Sequence, residues 1–376
     1  MKPIIDKTLK LLENAEPKLA ASHCLVGFDG YVDQIIRVVD KRQKDGTATF
    51  IETIKAFGHR IQAAAGKSSK FELNVQQTKL GGNGPIMANA LAHYGLPLIY
   101  MGVVGSPEIH PVFRPMEKIC KLVSIGESCC TDAYEFNDGK IMLSRQEPAD
   151  RINWETIEKT AGARQFFEWL DQADLVALNN WASTPHMTEI WDRIQKDFCP
   201  RFSRKTRSFF IDLADPEFRL ADDIRAALGC IGRFAQWFDT TLGLNQKEAL
   251  EIMEVLGEKP RGNDRDQVRY MAETIRKTIG IQGVVVHPTA YAAAASAEGS
   301  ALVEGPFIER PLISTGAGDH FNAGYALAGL LGGDLEQRLQ LGVASSGFYV
   351  RTAQSATLSD QRQFLKEVGQ GLREKV

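Results

Sequence analysis

The sequence predicts an α/β fold: a doubly wound, mainly parallel sheet with helices on both faces and a small inserted β-sheet. Three observations carry this expectation. From Trp154 onward, helical stretches alternate with short apolar strands such as 173–178 and 208–213, the pattern of a parallel sheet covered on both sides. Over about 34–80 and again about 125–147, strand-like pieces follow one another without long helices, which a doubly wound core does not accommodate. Glycine-rich turns near residues 82 and 317 lead straight into apolar helical runs, letting backbone approach a ligand closely.

The 376 residues read as one domain, 1–376, long enough to bury a large core. A net charge of −3 and a hydrophobic fraction of 44% describe a soluble globular chain with no basic excess for nucleic acid. No run of eighteen apolar residues is present, and the N-terminus mixes charge with leucine. The expectation is therefore no membrane partner and a cytoplasmic location. The six cysteines lack metal-ligand spacing and are expected reduced, without a function.

Taken in order, a first helix is followed by Leu25-Val26-Gly27-Phe28-Asp29-Gly30-Tyr31-Val32-Asp33, a strand ending in a turn with two acids. Carboxylates at such strand ends lie where α/β folds bind ligands, and a carboxylate accepts two hydroxyls at once. Asp33 is the substrate-binding candidate and Asp29 its competitor; an exposed turn acid is the plain alternative. Ala65-Gly66-Lys67-Ser68 imitates the end of a P-loop, but Ile61 stands where that loop needs glycine. Gly81-Gly82-Asn83-Gly84-Pro85 opens a helix closed by Gly95, with spacing that excludes a dinucleotide fingerprint. A strand at 98–105 precedes a helix-like stretch reaching Leu122, and Asp138-Gly139 marks a hairpin.

Asp212 closes a strand as either a phosphate- or metal-side group or a helix cap. Asn245 and Glu248, three apart, either complete a capping box or hold a magnesium ion through its waters. The strand at 283–286 ends in His287-Pro288-Thr289, with Thr289 a phosphate donor and His287 a structural histidine.

The strongest chemical signal is Ser314-Thr315-Gly316-Ala317-Gly318-Asp319 before an Ala-rich helix. Unpaired N–H groups and the helix dipole form an anion cradle there, and Asp319 is placed to accept a proton from an attacking hydroxyl. The pairing indicates phosphoryl transfer; a plain strand-to-helix turn is the alternative.

Thr315-Gly316-Ala317-Gly318-Asp319 with Phe321 and Gly324 resembles the C-terminal signature of the ribokinase-like (PfkB) carbohydrate kinases. Further matches from about Gly27 to Ala353 extend the resemblance over most of the chain. It implies a ribokinase-like fold whose inserted sheet is a lid over the sugar and often a dimer contact, so a homodimer through the lid is one implication. It implies ATP and Mg2+, Asp319 as catalytic base, and an anion hole from the amides of Gly316, Ala317 and Gly318. Asp33, Gly82 and Asn83 would grip a sugar or related polyol; Asn245, Thr289, Thr315 and Gly318 would face the nucleotide; and Glu248 with Asn245 would hold the metal through water. Three positions depart from the family: Ile86 stands for a sugar-binding Asn, Ile313 for an Asp linked to a monovalent cation, and His287-Pro288-Thr289 for Thr-Leu-Gly. A nucleoside kinase of the same fold, using Tyr31 or Phe136, and a silent binding protein are the competing functions.

Overall fold

Strand β1 (Cys24–Phe28) is buried along its whole length, as a strand covered on both faces must be. In this computed structural model, which describes residues 2–203 and 207–371, it lies inside a nine-stranded sheet. On one side β1 pairs parallel with β5 (Leu98–Gly102) and, beyond it, β6 (Lys121–Ser124). On the other come β9 (Leu175–Leu178), β10 (Ser208–Asp212), β11 (Asp239–Leu244) and β12 (Gly283–Val286), all parallel. The antiparallel β13 (Tyr291–Ser296) and β14 (Gly299–Glu304) complete the edge.

Alternation over 24–26 of β1 divides the core, with Leu25 in one apolar layer and Cys24 and Val26 in the other; Phe28, at the strand's end, departs from the alternation and joins the Leu25 layer. Because the central strands are parallel, their carboxyl ends share one edge, where ligands bind in such sheets. Asp29, Asn179, Asp212, Asn245 and His287 all stand at those ends.

The inserted sheet grows out of the same edge. β2 (Tyr31–Arg42) leaves β1 after Asp29-Gly30 and pairs antiparallel with β4 (Leu73–Gly81) and parallel with β7 (Cys129–Phe136). β8 (Gly139–Arg145) returns from β7 as the expected hairpin, and β3 (Ala48–Phe50) pairs with the far end of β2. Register sets Asp33 opposite Lys79 and Thr131, and Lys140 opposite Glu135.

Two expectations need correction. The inserted segment holds a helix, Ile54–Ala63, capped by Thr53, whose Phe57 packs 5.5 Å from Phe136 over the apolar face of the small sheet. The stretch before Leu122 forms only the short 3-10 turn Arg114–Lys118 before β6. Pro107, Pro111 and Pro115 deprive it of helix donors.

Candidate active site

Asp29 is fully buried and holds structure instead of facing open space. Its carboxylate accepts from the backbone N–H groups of Asn83 (3.0 Å) and Gly84 (2.9 Å) and from Asn180 Nδ2 (2.7 Å). It thereby supplies acceptors for the first turn of the Asn83–His93 helix, whose own N-cap, Gly82, has no side chain to do so. Burial pushes its carboxyl up to about 6. In this structure Asp29, the competitor for the sugar, clamps the helix start.

Gly82 has φ +95°, and a Cβ there would lie 2.8 Å from Asp29 Oδ2. Gly82→Ala is therefore expected to cost about 1–3 kcal/mol of stability, read as a lower thermal midpoint. An unchanged midpoint would contradict this account of the turn.

Asn83 turns its Nδ2 to Asp319 Oδ1 at 3.0 Å. Its amide serves the carboxylate, a partner that the sequence did not suggest. Asp319 is buried in the first turn of the Ala317–Leu330 helix. Burial first, then the negative charges of Asp212 and Asp29, push its carboxyl well above the usual range.

Gly316 caps this helix with φ +94°, close against Ile86 and Tyr349. Its loop is pinned from behind: Tyr349 Oη donates to Thr315 O (3.0 Å), and His320 Nδ1 meets Gly316 O (2.8 Å) while its ring stacks on Tyr349. The Ala317 N–H donates to Ser314 O at 3.1 Å, so the expected cradle loses one of its three amides. Among the described residues, the N–H groups of Gly316, Gly318 and Asp319 have no acceptor.

Asp33 is buried on the face of the small sheet that also carries Lys79 and Lys140. Its carboxyl is raised by burial, an effect that the two lysines oppose. Lys79 is held below its usual range, first by burial, and feels both Asp33 and Asp319. Lys140 reaches across to the cradle, its Nζ donating to Thr315 Oγ1 at 2.6 Å. Alternation in β8 marks its face, but only the fold shows what that face meets.

On the other side of the helix N-terminus lies a cavity of about 320 Å3, lined by Asn245, Thr289, Ser314, Ala317 and Gly318 among others. Asn245 and Glu248 form the capping box of the Gln246–Val255 helix, with bonds of 2.9 and 2.8 Å. Glu248 also accepts from the Asp215 N–H, and burial followed by the charge of Asp212 pushes its carboxyl up. Asp212 is no helix cap: it accepts from the Ala214 N–H and from Asn322 Nδ2. A buried carboxyl that a neighbouring acid's charge pushes up suits a divalent cation held through water, which would relieve that repulsion.

A model of the prokaryotic ketohexokinase family matches residues 7–368 of this chain. A ketohexokinase from Haloferax volcanii is 26% identical over 354 residues, covering 94% of this chain and 93% of that protein. A carbohydrate kinase from Agrobacterium tumefaciens superposes with a TM-score of 0.62 at 17% identity, covering 92% of this chain and 97% of its own. Ribokinase from Thermotoga maritima gives the same TM-score and identity, covering 92% and 99%. These structures share the doubly wound sheet that the sequence predicts.

Proposed function

The chain belongs to the prokaryotic ketohexokinase family and is a carbohydrate kinase, and from that premise we propose that it transfers the terminal phosphoryl group of ATP to a hydroxyl of a ketohexose. The observation that carries the reading is Asp319: a buried carboxylate held by Asn83, one residue past the open amide of Gly318. Gly318, its neighbour in the chain, borders the cavity, and on its other side the charge of Asp319 is felt by Lys79 beside Asp33.

In this mechanism the nucleotide occupies the cavity with its phosphates toward the Ala317–Leu330 helix. Asp33 accepts hydroxyls of the sugar beneath the small sheet, and Asp319 takes the proton of the attacking hydroxyl as its oxygen meets the phosphorus. The Gly316, Gly318 and Asp319 amides, with Lys140, face the charge that spreads over the transferred group. Glu248 and Asn245, with Asp212 behind them, would hold Mg2+ through water, and the ion would neutralise phosphate charge. The small sheet acts as a lid that excludes water, the competing acceptor.

A base must be ionised, so kcat/KM falls as pH drops through the pKa of Asp319. The negative charge of Asp212 is the largest electrostatic cause of that raised pKa. Asp212→Asn removes it, and the acid limb of the pH profile is expected to move to lower pH at saturating Mg2+. A limb that stays in place, or moves upward, would separate Asp319 from the proton transfer.

The substrate class is tested by ADP release from Mg-ATP across ketohexoses, aldoses, sugar phosphates and nucleosides. The reading requires the highest kcat/KM with a ketohexose; preference for a nucleoside would replace it with a nucleoside kinase.

A further inference from the structure

His287 follows β12 with an imidazole Nε2 that is buried and has no hydrogen-bond partner among the described residues. Buried polar atoms normally find one. The ring lies against the start of the Ala317–Leu330 helix: its Cε1 is 3.2 Å from where a Gly318 Cβ would sit. It also packs on Phe321 with ring centroids 4.7 Å apart. Among the residues lining the 320 Å3 cavity, none is Lys, Arg, Asp or Glu, and His287 alone is titratable. A polyphosphate entering there meets helix amides, while Lys140 approaches from the far side at Thr315.

Resting on the reading of this cavity as the nucleotide site, we propose that His287 is a proton-linked nucleotide contact: polyphosphate binding draws a proton from solvent onto Nε2, and the imidazolium donates to a phosphate oxygen beside the Gly318 amide. No other bond forms or breaks, so the proton count is the signature.

Burial holds the empty ring neutral, with its pKa lowered to about 4, and only a hydrogen bond to its own backbone opposes this. The neighbouring charged or titratable groups are engaged elsewhere. Asp319 is bonded to Asn83, His320 to Gly316 and Ser355, and Glu248 to the amides of Asn245 and Asp215. One unit of negative charge about 4 Å away, at an effective dielectric of about 20, raises an imidazole by roughly three pH units. That is enough to carry the ring from mostly neutral to mostly charged near pH 6. Since the bound form holds the proton more tightly, nucleotide affinity rises as pH falls between the two pKa values, by up to about tenfold per unit.

The test is calorimetric titration of the full chain with ADP alone at pH 6, in two buffers of different ionisation enthalpy, for wild type and His287→Gln. Glutamine keeps polarity and approximate volume but does not titrate. The wild type is expected to take up about one proton more per ADP than the variant. Equal uptake, with ADP bound by both, overturns the proposal. Absence of ADP binding by the wild type instead removes the nucleotide reading on which it rests. If the variant does not fold, assigned ring-nitrogen shifts of wild-type His287 decide: an imidazolium signature appearing with ADP at pH 6 supports the proposal, and a ring that stays neutral overturns it.

Discussion

Asp319→Asn is expected to lower kcat by about 10²–10⁴-fold, the usual contribution of a positioned general base, while nucleotide and sugar still bind. The amide keeps the shape of the carboxylate and an oxygen to accept from Asn83 Nδ2, so the helix start and its cradle stay in place. What it loses is the ability to accept the hydroxyl proton. Losing the negative charge also removes repulsion from Asp29 and Asp212, so the folded state is not expected to suffer. Denaturation midpoints at or above wild type, together with the fall in kcat, are the paired observations. A variant with wild-type kcat would make Asp319 a helix-turn acid and nothing more.

The second large effect is expected at Lys140. Its ammonium is fixed at Thr315 Oγ1 across 175 residues of sequence, at the edge of the amide cradle. A cation there stabilises charge gathering on the phosphoryl oxygens, and removing one such electrostatic group typically costs about 10²–10³-fold in rate. Lys140→Met keeps the apolar stem and most of the length of the side chain and removes the ammonium, with its charge and its hydrogen bond to Thr315 Oγ1. The expected result is a fall in kcat of that size with a much smaller change in nucleotide affinity, partly restored by Lys140→Arg. A variant that loses ADP affinity while keeping kcat would make Lys140 a ground-state nucleotide anchor instead.

These residues also show what the sequence carries and what it hides. Gly316, Gly318 and Asp319 form one local arrangement, a turn that opens a helix, and local chemistry is written in adjacent letters. Five strands of the large sheet, β1, β5, β9, β10 and β12, were legible for the same reason, as short apolar runs, whereas β6, β11, β13 and β14 were not read. Lys140 and Tyr349 were not: each acts on the 315–316 loop through a long-range contact that only folding creates. Asp29 looked like a ligand group because strand ends bind ligands, yet the nearest unpaired donors are protein amides at the start of the Asn83–His93 helix, and they take its oxygens. The Ile54–Ala63 helix carries Ile54, Phe57 and Ile61 at helical spacing yet has no fully buried residue, and it lies between strand-like runs that drew the reading of the whole segment. It packs on the small sheet by half-buried contacts such as Phe57.

The cradle is likewise narrower than the motif suggests. Ala317 spends its N–H on the turn, which leaves the amides of Gly316, Gly318 and Asp319 as the open donors among the described residues, and in the proposed mechanism these face the anion.

The central claim is transfer of a phosphoryl group to a ketohexose hydroxyl. It is tested most directly by following ³¹P resonances of Mg-ATP with the wild-type protein and fructose. The account predicts ADP and a new phosphomonoester signal growing in equal amounts, both absent without the sugar. ADP appearing with inorganic phosphate, or ATP left intact beside fructose, would contradict it.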